Sequence, residues 1–146
     1  MSTTKNLTKE APRSPRYHLG EYTIMARMID KGRADLGGVV GEYHFACPLD
    51  QTLFEFKGVN ADDVKKLIAS GATDEQILAW FDANGTPKTP EEIKTWSGGL
   101  EAYHPYENPE KRDWFISQCT PLGINPETST LVDYLEADDL ATFKAK

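Results

Sequence analysis

Five cationic side chains between residues 13 and 33 stand out in a chain whose formal net charge is -7 at pH 7. Asp30 lies three residues from both Arg27 and Arg33, and side chains three or four apart meet on the surface of a helix. A carboxylate between two arginines would hold each guanidinium group as a rigid fork suited to carboxylate or phosphate. The pattern predicts an anion-binding site composed of Arg13, Arg16, Arg27, Asp30, Lys31, Arg33 and Tyr43.

Four residues of this predicted site have expected roles, with Arg13, Arg16 and Tyr43 nearby. Arg27 and Arg33 would bind the anion bidentately, and Asp30 would orient them. Lys31 would act as a point charge. The alternative interpretation is a solvated face of salt bridges, each contributing about 0.3–0.5 kcal/mol to stability. Charge asymmetry between one segment and the rest of a chain favours an anion site or an interface.

A second candidate site is the segment Cys47-Pro48-Leu49-Asp50. Pro48 suits the first turn of a helix, which would place Cys47 at the N-cap, where the helix dipole lowers the pKa of a thiol. His44, three residues earlier, or Asp50 could then serve as the partner of a cysteine nucleophile. The alternative is a structural cysteine, since cysteine is among the most often buried residue types.

Other kinds of site find little support in the sequence. His18, His44, His104 and Cys47 are possible metal ligands, but the spacing of His44 and Cys47 lacks a matching second pair. No phosphate-binding glycine loop, dinucleotide fingerprint or serine nucleophile elbow occurs in the sequence. We therefore predict no metal and no cofactor.

Composition narrows the class of protein. The chain has 146 residues and a sequence pI of about 4.9, which predicts one domain and argues against nucleic acid as a partner. No apolar run approaches the ~20 residues of a membrane span, and the first nine residues do not resemble a signal peptide. These features predict a cytoplasmic protein without membrane contact, whose two cysteines are free thiols.

Apolar periodicity and capping residues predict the helices that must position these side chains. The first helix is predicted over 22–36, where Gly32 would mark the close approach of another backbone. A short helix over 49–57 should follow, and four further helices should begin near Asn60, Thr73, Thr89 and Asn108. The glycine pair at 98–99 should interrupt one of them. The last helix is predicted over 130–143, with a break near Ala137.

These elements predict an all-α fold, a compact bundle of about six or seven short helices. One short extended segment, either a strand or an extended loop, is expected near 39–46. We predict an N-terminal arm over residues 1–15 and a single helical domain over residues 16–146.

An ordered series of short motifs carries a resemblance to a known family. The motifs are Pro12-Arg13-Ser14-Pro15, Leu19-Gly20, the run from Arg27 to Ala34, Gly41-Glu42-Tyr43 and Cys47-Pro48-Leu49-Asp50. The series resembles an uncharacterised bacterial domain-of-unknown-function family of about 150 residues, over most of the chain. The resemblance implies a shared fold and no particular reaction.

Three functional hypotheses follow. The leading one is a small binding module for an anionic small molecule or an acidic partner segment. The second is an enzyme that uses Cys47 as its nucleophile. The third is a homo-oligomeric structural or interaction protein, in which the charged first helix forms a homodimer interface.

Overall fold

The computed structural model describes residues 4–143, and within them the chain forms seven α-helices and two 3₁₀ turns. The helices are α1 (Met25–Leu36), α2 (Pro48–Lys57), α3 (Ala61–Ala69), α4 (Asp74–Ala83), α5 (Pro90–Glu101), α6 (Arg112–Cys119) and α7 (Leu131–Phe143). The 3₁₀ turns are Pro105–Glu107 and Thr120–Leu122. Residues 4–143 contain no β-strand, and the all-α prediction is confirmed. None of the helices described is long and apolar enough to cross a bilayer.

Local capping explains where three of the helices begin. The side chain of Asn60 accepts a hydrogen bond from the backbone N–H of Asp63 at the start of α3. Thr73 and Thr89 each form a reciprocal capping box, which satisfies two of the backbone N–H groups that a helix start leaves unpaired. These three starts agree with the predictions from sequence.

The first helix begins later than predicted. The prediction of 22–36 is wrong at its start, because Ile24 has a left-handed φ of 58° and cannot continue a helix toward the N-terminus. Leu19 and Tyr22 instead exchange two backbone hydrogen bonds of 3.0 Å in a tight turn. The buried side chains keep the spacing of a helix through this turn, but the backbone of the turn is not helical.

Other segments also differ from the predictions. The segment 39–46 is a loop with two turns, because no strand lies beside it and Gly41 and Ala46 both have a φ of 60°. The helix predicted from Asn108 begins only at Arg112, after the 3₁₀ turn and a further turn. α5 runs through Gly98 and Gly99, and α7 is continuous through Ala137.

Gly32 allows α3 to approach α1 closely. A Cβ atom at this position would lie 2.6 Å from Cδ1 of Ile68 and 3.2 Å from the Phe45 ring. The close neighbours are therefore side chains rather than the backbone that the sequence suggested. The approach packs α3 directly against α1.

One main hydrophobic cluster joins the helices from α1 to α5. Its buried members are Tyr22, Ile24, Met25, Met28, Ile29, Leu53, Phe54, Val64, Ile68, Ala72, Ile77, Phe81 and Ile93. Phe115, Cys119 and Val132 are also buried but lie outside this cluster. We call residues 105–143 the C-terminal unit.

The segment before α1 also packs on the helices. Leu7 is buried, and its backbone N–H donates to the carbonyl oxygen of Val39 at 2.9 Å. Pro12 and Pro15 are buried as well. This packing fixes the direction in which Arg13 and Arg16 leave the backbone. Residues 1–3 of the predicted arm lie outside the described residues.

Candidate functional site

The charged face of α1 is buried rather than solvated. The exposed fractions are 5% for Arg27, 2% for Asp30, 4% for Lys31 and 8% for Arg33. The solvated-face interpretation is therefore wrong, because the N-terminal segment, α2, α4 and α7 all contribute groups that cover these side chains. A buried charge is tolerated only when it is paired and hydrogen-bonded, so each of these residues needs a partner.

Arg27 has its partner on the last helix. Its two terminal nitrogens donate to the two carboxylate oxygens of Asp139, at 2.7 and 3.1 Å. The Tyr43 hydroxyl donates to Asp139 Oδ1 at 2.7 Å, and the guanidinium carbon of Arg27 lies 5.5 Å from the centre of the Tyr43 ring. Burial and the bond to Asp139 raise the pKa of Tyr43, so its hydroxyl remains a donor at neutral pH.

Asp30 does not hold Arg27 or Arg33, and that part of the prediction is wrong. It accepts bonds from Arg13 instead, at 2.8 Å from the backbone N–H and 3.1 Å from Nε. Arg13 crosses over α1 from the N-terminal segment, so it reaches Asp30 directly. The sequence predicted that Arg13 would fold onto this face as an additional cation, whereas it is the main partner of Asp30.

Arg13 and Arg33 share one carboxylate, that of Asp74 at the start of α4. The distances are 2.8 Å from Arg13 Nη1 to Oδ2 and 2.9 Å from Arg33 Nη1 to Oδ1. Burial works against ionisation of Asp74, but the bonds and charges of the two arginines outweigh it and lower the pKa of this carboxyl. Arg33 also donates to the carbonyl of Ala72 at 3.1 Å, whereas its Nε is buried without a partner among residues 4–143.

Lys31 connects the charged face with the second candidate site. Its ammonium lies 3.0 Å from Asp50 Oδ2 and 3.2 Å from Cys47 Sγ. Cys47 is the N-cap of α2, as predicted, with Pro48 at the first helical position. Asp50 also accepts the backbone N–H of Ala46 at 3.0 Å, and burial raises the pKa of Asp50 against the opposing effect of Lys31.

His44 is not brought to the thiol as a bonded partner. It is exposed and forms no hydrogen bond within the described part of the chain. The group that contacts Cys47 is Lys31, which the sequence had assigned to the anion site. The two candidate sites therefore meet at Lys31.

Arg16 and Ser14 contact α7 at its exposed edge. Arg16 Nη2 lies 2.5 Å from Asp133 Oδ1, and Arg16 Nη1 is paired with Glu136. The Ser14 hydroxyl donates to Glu136 Oε2 at 2.7 Å. α7 thus presents three carboxylates to the N-terminal segment and α1.

A family model described as a domain of unknown function, DUF5069, matches residues 9–141. The chain belongs to this family. The match confirms the resemblance, and it covers the whole set of charged contacts described above. A search among curated proteins finds no match. The bacterial origin implied by the resemblance stays a prediction.

Sequence reasoning missed the acidic half of this site. Asp74 and Asp139 pair with the buried arginines of α1, but the sequence prediction assigned neither residue to the site. A signal was present in α7, because Asp133, Glu136 and Asp139 recur every third residue and therefore lie along one side of a helix. Phe143 continues this side and stacks on Tyr43, with ring centres 6.4 Å apart.

The charged contacts fall into two groups according to where the carboxylates come from. We call the first group the inner pairs: Arg13, Lys31 and Arg33 with Asp30, Asp50 and Asp74, which belong to α1, α2 and α4. We call the second group the seam: Ser14, Arg16, Arg27 and Tyr43 with Asp133, Glu136 and Asp139 of α7. Only the seam depends on the C-terminal unit.

His18 and His104 contact oxygen atoms outside the charged face of α1. His18 Nε2 lies 3.1 Å from Glu101 Oε1, and His104 Nδ1 lies 3.2 Å from the carbonyl oxygen of Ser129. Within residues 4–143, no group of three or more histidine, cysteine or acidic side chains is arranged to hold a metal ion.

Proposed function

We propose that this domain is a binding module for an acidic helical segment of a protein partner. The observation that carries the proposal is the occupation of Arg27 and Tyr43 by Asp139 of α7. α7 would be an internal occupant of the binding face, which a partner segment with the same pattern of carboxylates replaces.

The geometry favours an acidic segment over a small anion as the ligand. Each cation of the inner pairs already has a carboxylate from the same packed body of helices, so a free anion would have to break that body open. Arg16 and Arg27 differ, because all their carboxylates come from α7, a single helix that would separate from the main body as one unit. A ligand for them must supply several carboxylates about three residues apart.

The energetics also favour replacement over simple release. Removing one member of a buried ion pair costs about 3–5 kcal/mol, because the remaining charge is left uncompensated. A segment that brings its own carboxylate to Arg27 avoids this cost. The pairs of Arg16 are more exposed, and such pairs contribute at most about 1 kcal/mol each, so they add selectivity more than affinity.

A labelled peptide tests this proposal. The peptide carries residues 128–143, and its binding to the full chain is followed by fluorescence anisotropy. Asp139→Asn with Glu136→Gln and Asp133→Asn weakens the internal occupant, and this triple variant should bind the peptide more tightly than the unchanged protein does. Adding Arg27→Met should abolish that binding.

Two controls make the result specific. A peptide with Asn, Gln and Asn in place of Asp133, Glu136 and Asp139 should not bind. Lys65→Ala should leave binding unchanged, because Lys65 is a cation that pairs with Asp35, away from the seam. Equal binding of both peptides, or binding that persists with Arg27→Met, would refute the proposal.

A second candidate function rests on a separate observation, the 3.2 Å contact between Lys31 Nζ and Cys47 Sγ. A cysteine nucleophile reacts as its anion and needs a neighbouring cation, and Lys31 is the cation in contact with the Cys47 sulfur. Cys47 is partly exposed, whereas Cys119 is buried. We therefore propose Cys47 as the nucleophile if the domain has an enzymatic activity.

Alkylation of the folded protein by iodoacetamide tests this second candidate. Cys47 should react well before Cys119, whose pKa burial raises. Lys31→Met should slow the reaction of Cys47, provided that circular dichroism shows the variant to be folded, and Lys65→Ala should not. If Cys47 reacts no faster than a cysteine in an unfolded peptide, the domain has no activated thiol.

A further inference from the structure

The C-terminal unit has an apolar cluster of its own. The Tyr134 ring lies 5.9 Å from the rings of both Trp114 and Phe115, and its hydroxyl donates to Gln118 at 3.1 Å. Val132 is buried in the same unit. α7 is therefore bound to α6 by aromatic packing, and to the rest of the domain by the polar seam and by the stacking of Phe143 on Tyr43.

The connection between the unit and the main body is short. Glu101, the last residue of α5, is held by His18 on the main body. The carbonyl of Tyr103 accepts a hydrogen bond from the backbone N–H of Leu131, and His104 contacts Ser129, whereas the N–H of Tyr103 donates to Leu100 of α5, so the connection is bonded to both sides at Tyr103. Ala102 is exposed and lies between the two anchored ends.

We infer that a second copy of this chain is a partner of the binding face, and that two copies exchange their C-terminal units across the seam. This inference rests on the proposed function and specifies its acidic segment. In the exchanged dimer, Asp139 of each copy pairs with Arg27 of the other, and Asp133 and Glu136 pair with Arg16.

Three features favour a second copy over an unrelated acidic partner. The segment whose carboxylates fit the face is encoded in the chain itself, so every seam contact can be reproduced between copies without a new interaction. Exchange of an identical element is a low-cost route to a dimer, and short hinge segments favour it. The aromatic cluster of Trp114, Phe115 and Tyr134 lies within the unit itself, so it can move together with α7.

A pair of complementary variants tests the exchange. The face variant, Arg16→Ala with Arg27→Met, keeps an intact α7 and loses its binding face. The helix variant, Asp133→Asn with Glu136→Gln and Asp139→Asn, keeps an intact face and loses the acidic helix. Only a mixed pair can form a complete seam, by docking α7 of the face variant onto the helix variant.

Native mass spectrometry of the equimolar mixture should show a one-to-one heterodimer. Each variant mixed with an isotopically labelled copy of itself should stay monomeric. Absence of the heterodimer, with both variants folded by circular dichroism, would overturn the inference. The peptide experiment separates this failure from that of the proposed function, because a helix variant that binds the peptide but forms no heterodimer retains a binding face without exchange.

The unchanged protein provides a second measurement if a variant fails to fold. Labelled and unlabelled copies are incubated together at high concentration in about 1 M salt, which screens the exposed Arg16 pairs of the seam, and then returned to low salt. Dimers of mixed mass are the expected result. If only monomers are recovered, or if the dimers never mix masses, exchange through the seam does not occur.

Discussion

The two terminal nitrogens of Arg27 each donate to one carboxylate oxygen of Asp139, a residue 112 positions further along the chain. This pair joins the first helix to the last, and both residues are buried. Tyr43 adds a bond of 2.7 Å to the same carboxylate. The relationship explains why a cationic helix is tolerated inside an acidic domain, since its charge is matched from a distant part of the sequence.

Removing one member of the Arg27–Asp139 pair should destabilise the domain more than removing both members. Asp139→Leu alone should lower the free energy of unfolding by about 3 kcal/mol, because it leaves the buried Arg27 uncompensated. Arg27→Met together with Asp139→Leu should lower it by less, since apolar replacement of a whole buried pair is often neutral. Urea unfolding of both single variants and the double variant gives the comparison. Additive costs would mean that the two side chains are not coupled.

Asp74 should contribute stability that depends on pH. Its pKa in the folded protein is lower than the ordinary value of 3.8, so its contribution is complete above about pH 3.8 and is lost as the pH falls through the folded value. Asp74→Asn should cost about 3 kcal/mol at pH 7, as for a broken buried pair, and less in acid.

The exposed Asp62 supplies the matched control for Asp74. Because it acts only in the first turn of α3, Asp62→Asn should cost at most about 1 kcal/mol. Unfolding curves of both variants between pH 2 and pH 7 are compared with those of the unchanged protein. A cost for Asp74→Asn that stays constant over this range would contradict the assignment.

Lys57 should destabilise the domain at neutral pH. Its side chain is buried, donates to the carbonyl of Thr86 at 2.8 Å and forms no ion pair within residues 4–143. Burial lowers its pKa from 10.5, so stability should increase as the pH rises from the folded value toward 10.5. Lys57→Met should raise the thermal midpoint at pH 7, and the gain should shrink above pH 10. A lower midpoint at pH 7 would contradict this prediction.

Gly85 should tolerate alanine far less well than Gly123 does. Both have a φ of 71°, but a Cβ atom at Gly85 would lie 1.9 Å from the carbonyl oxygen of Lys57, whereas Gly123 has open space. Gly123→Ala should cost about 1–2 kcal/mol for the left-handed backbone alone. Gly85→Ala should cost about 1–3 kcal/mol more, because the backbone must shift. Equal costs in chemical denaturation would show that the loop at Gly85 yields without penalty.

Local signals in the sequence predicted most of the helices, because a capping box or a helix-ending glycine acts within a few residues. Thr73 and Thr89 illustrate this, since each one forms its cap with a residue three positions later. The positive φ of Ile24 was not predictable in this way, because it results from tertiary packing of the turn around Leu19 and Tyr22.

The cationic half of the site was predictable from its density along the chain, whereas its pairing was not. Neighbours in sequence suggested that Asp30 holds Arg27 and Arg33, but burial of α1 brought in Asp74 and Asp139. The regular spacing of the acidic residues in α7 indicates that this helix can supply carboxylates to the cationic residues. Recognising this requires knowing that the last helix packs beside the first.

Both the proposed binding face and the exchange require the C-terminal unit to leave the main body without unfolding it. Hydrogen exchange of backbone amides, measured residue by residue, tests this directly. We expect the α7 amides to exchange through a low-energy opening that becomes more frequent in about 1 M salt, because salt screens the exposed Arg16 pairs, while the α1 amides exchange only through global unfolding. If α7 and α1 amides share one opening free energy and respond alike to salt, α7 is a fixed part of the core and the binding face is not available.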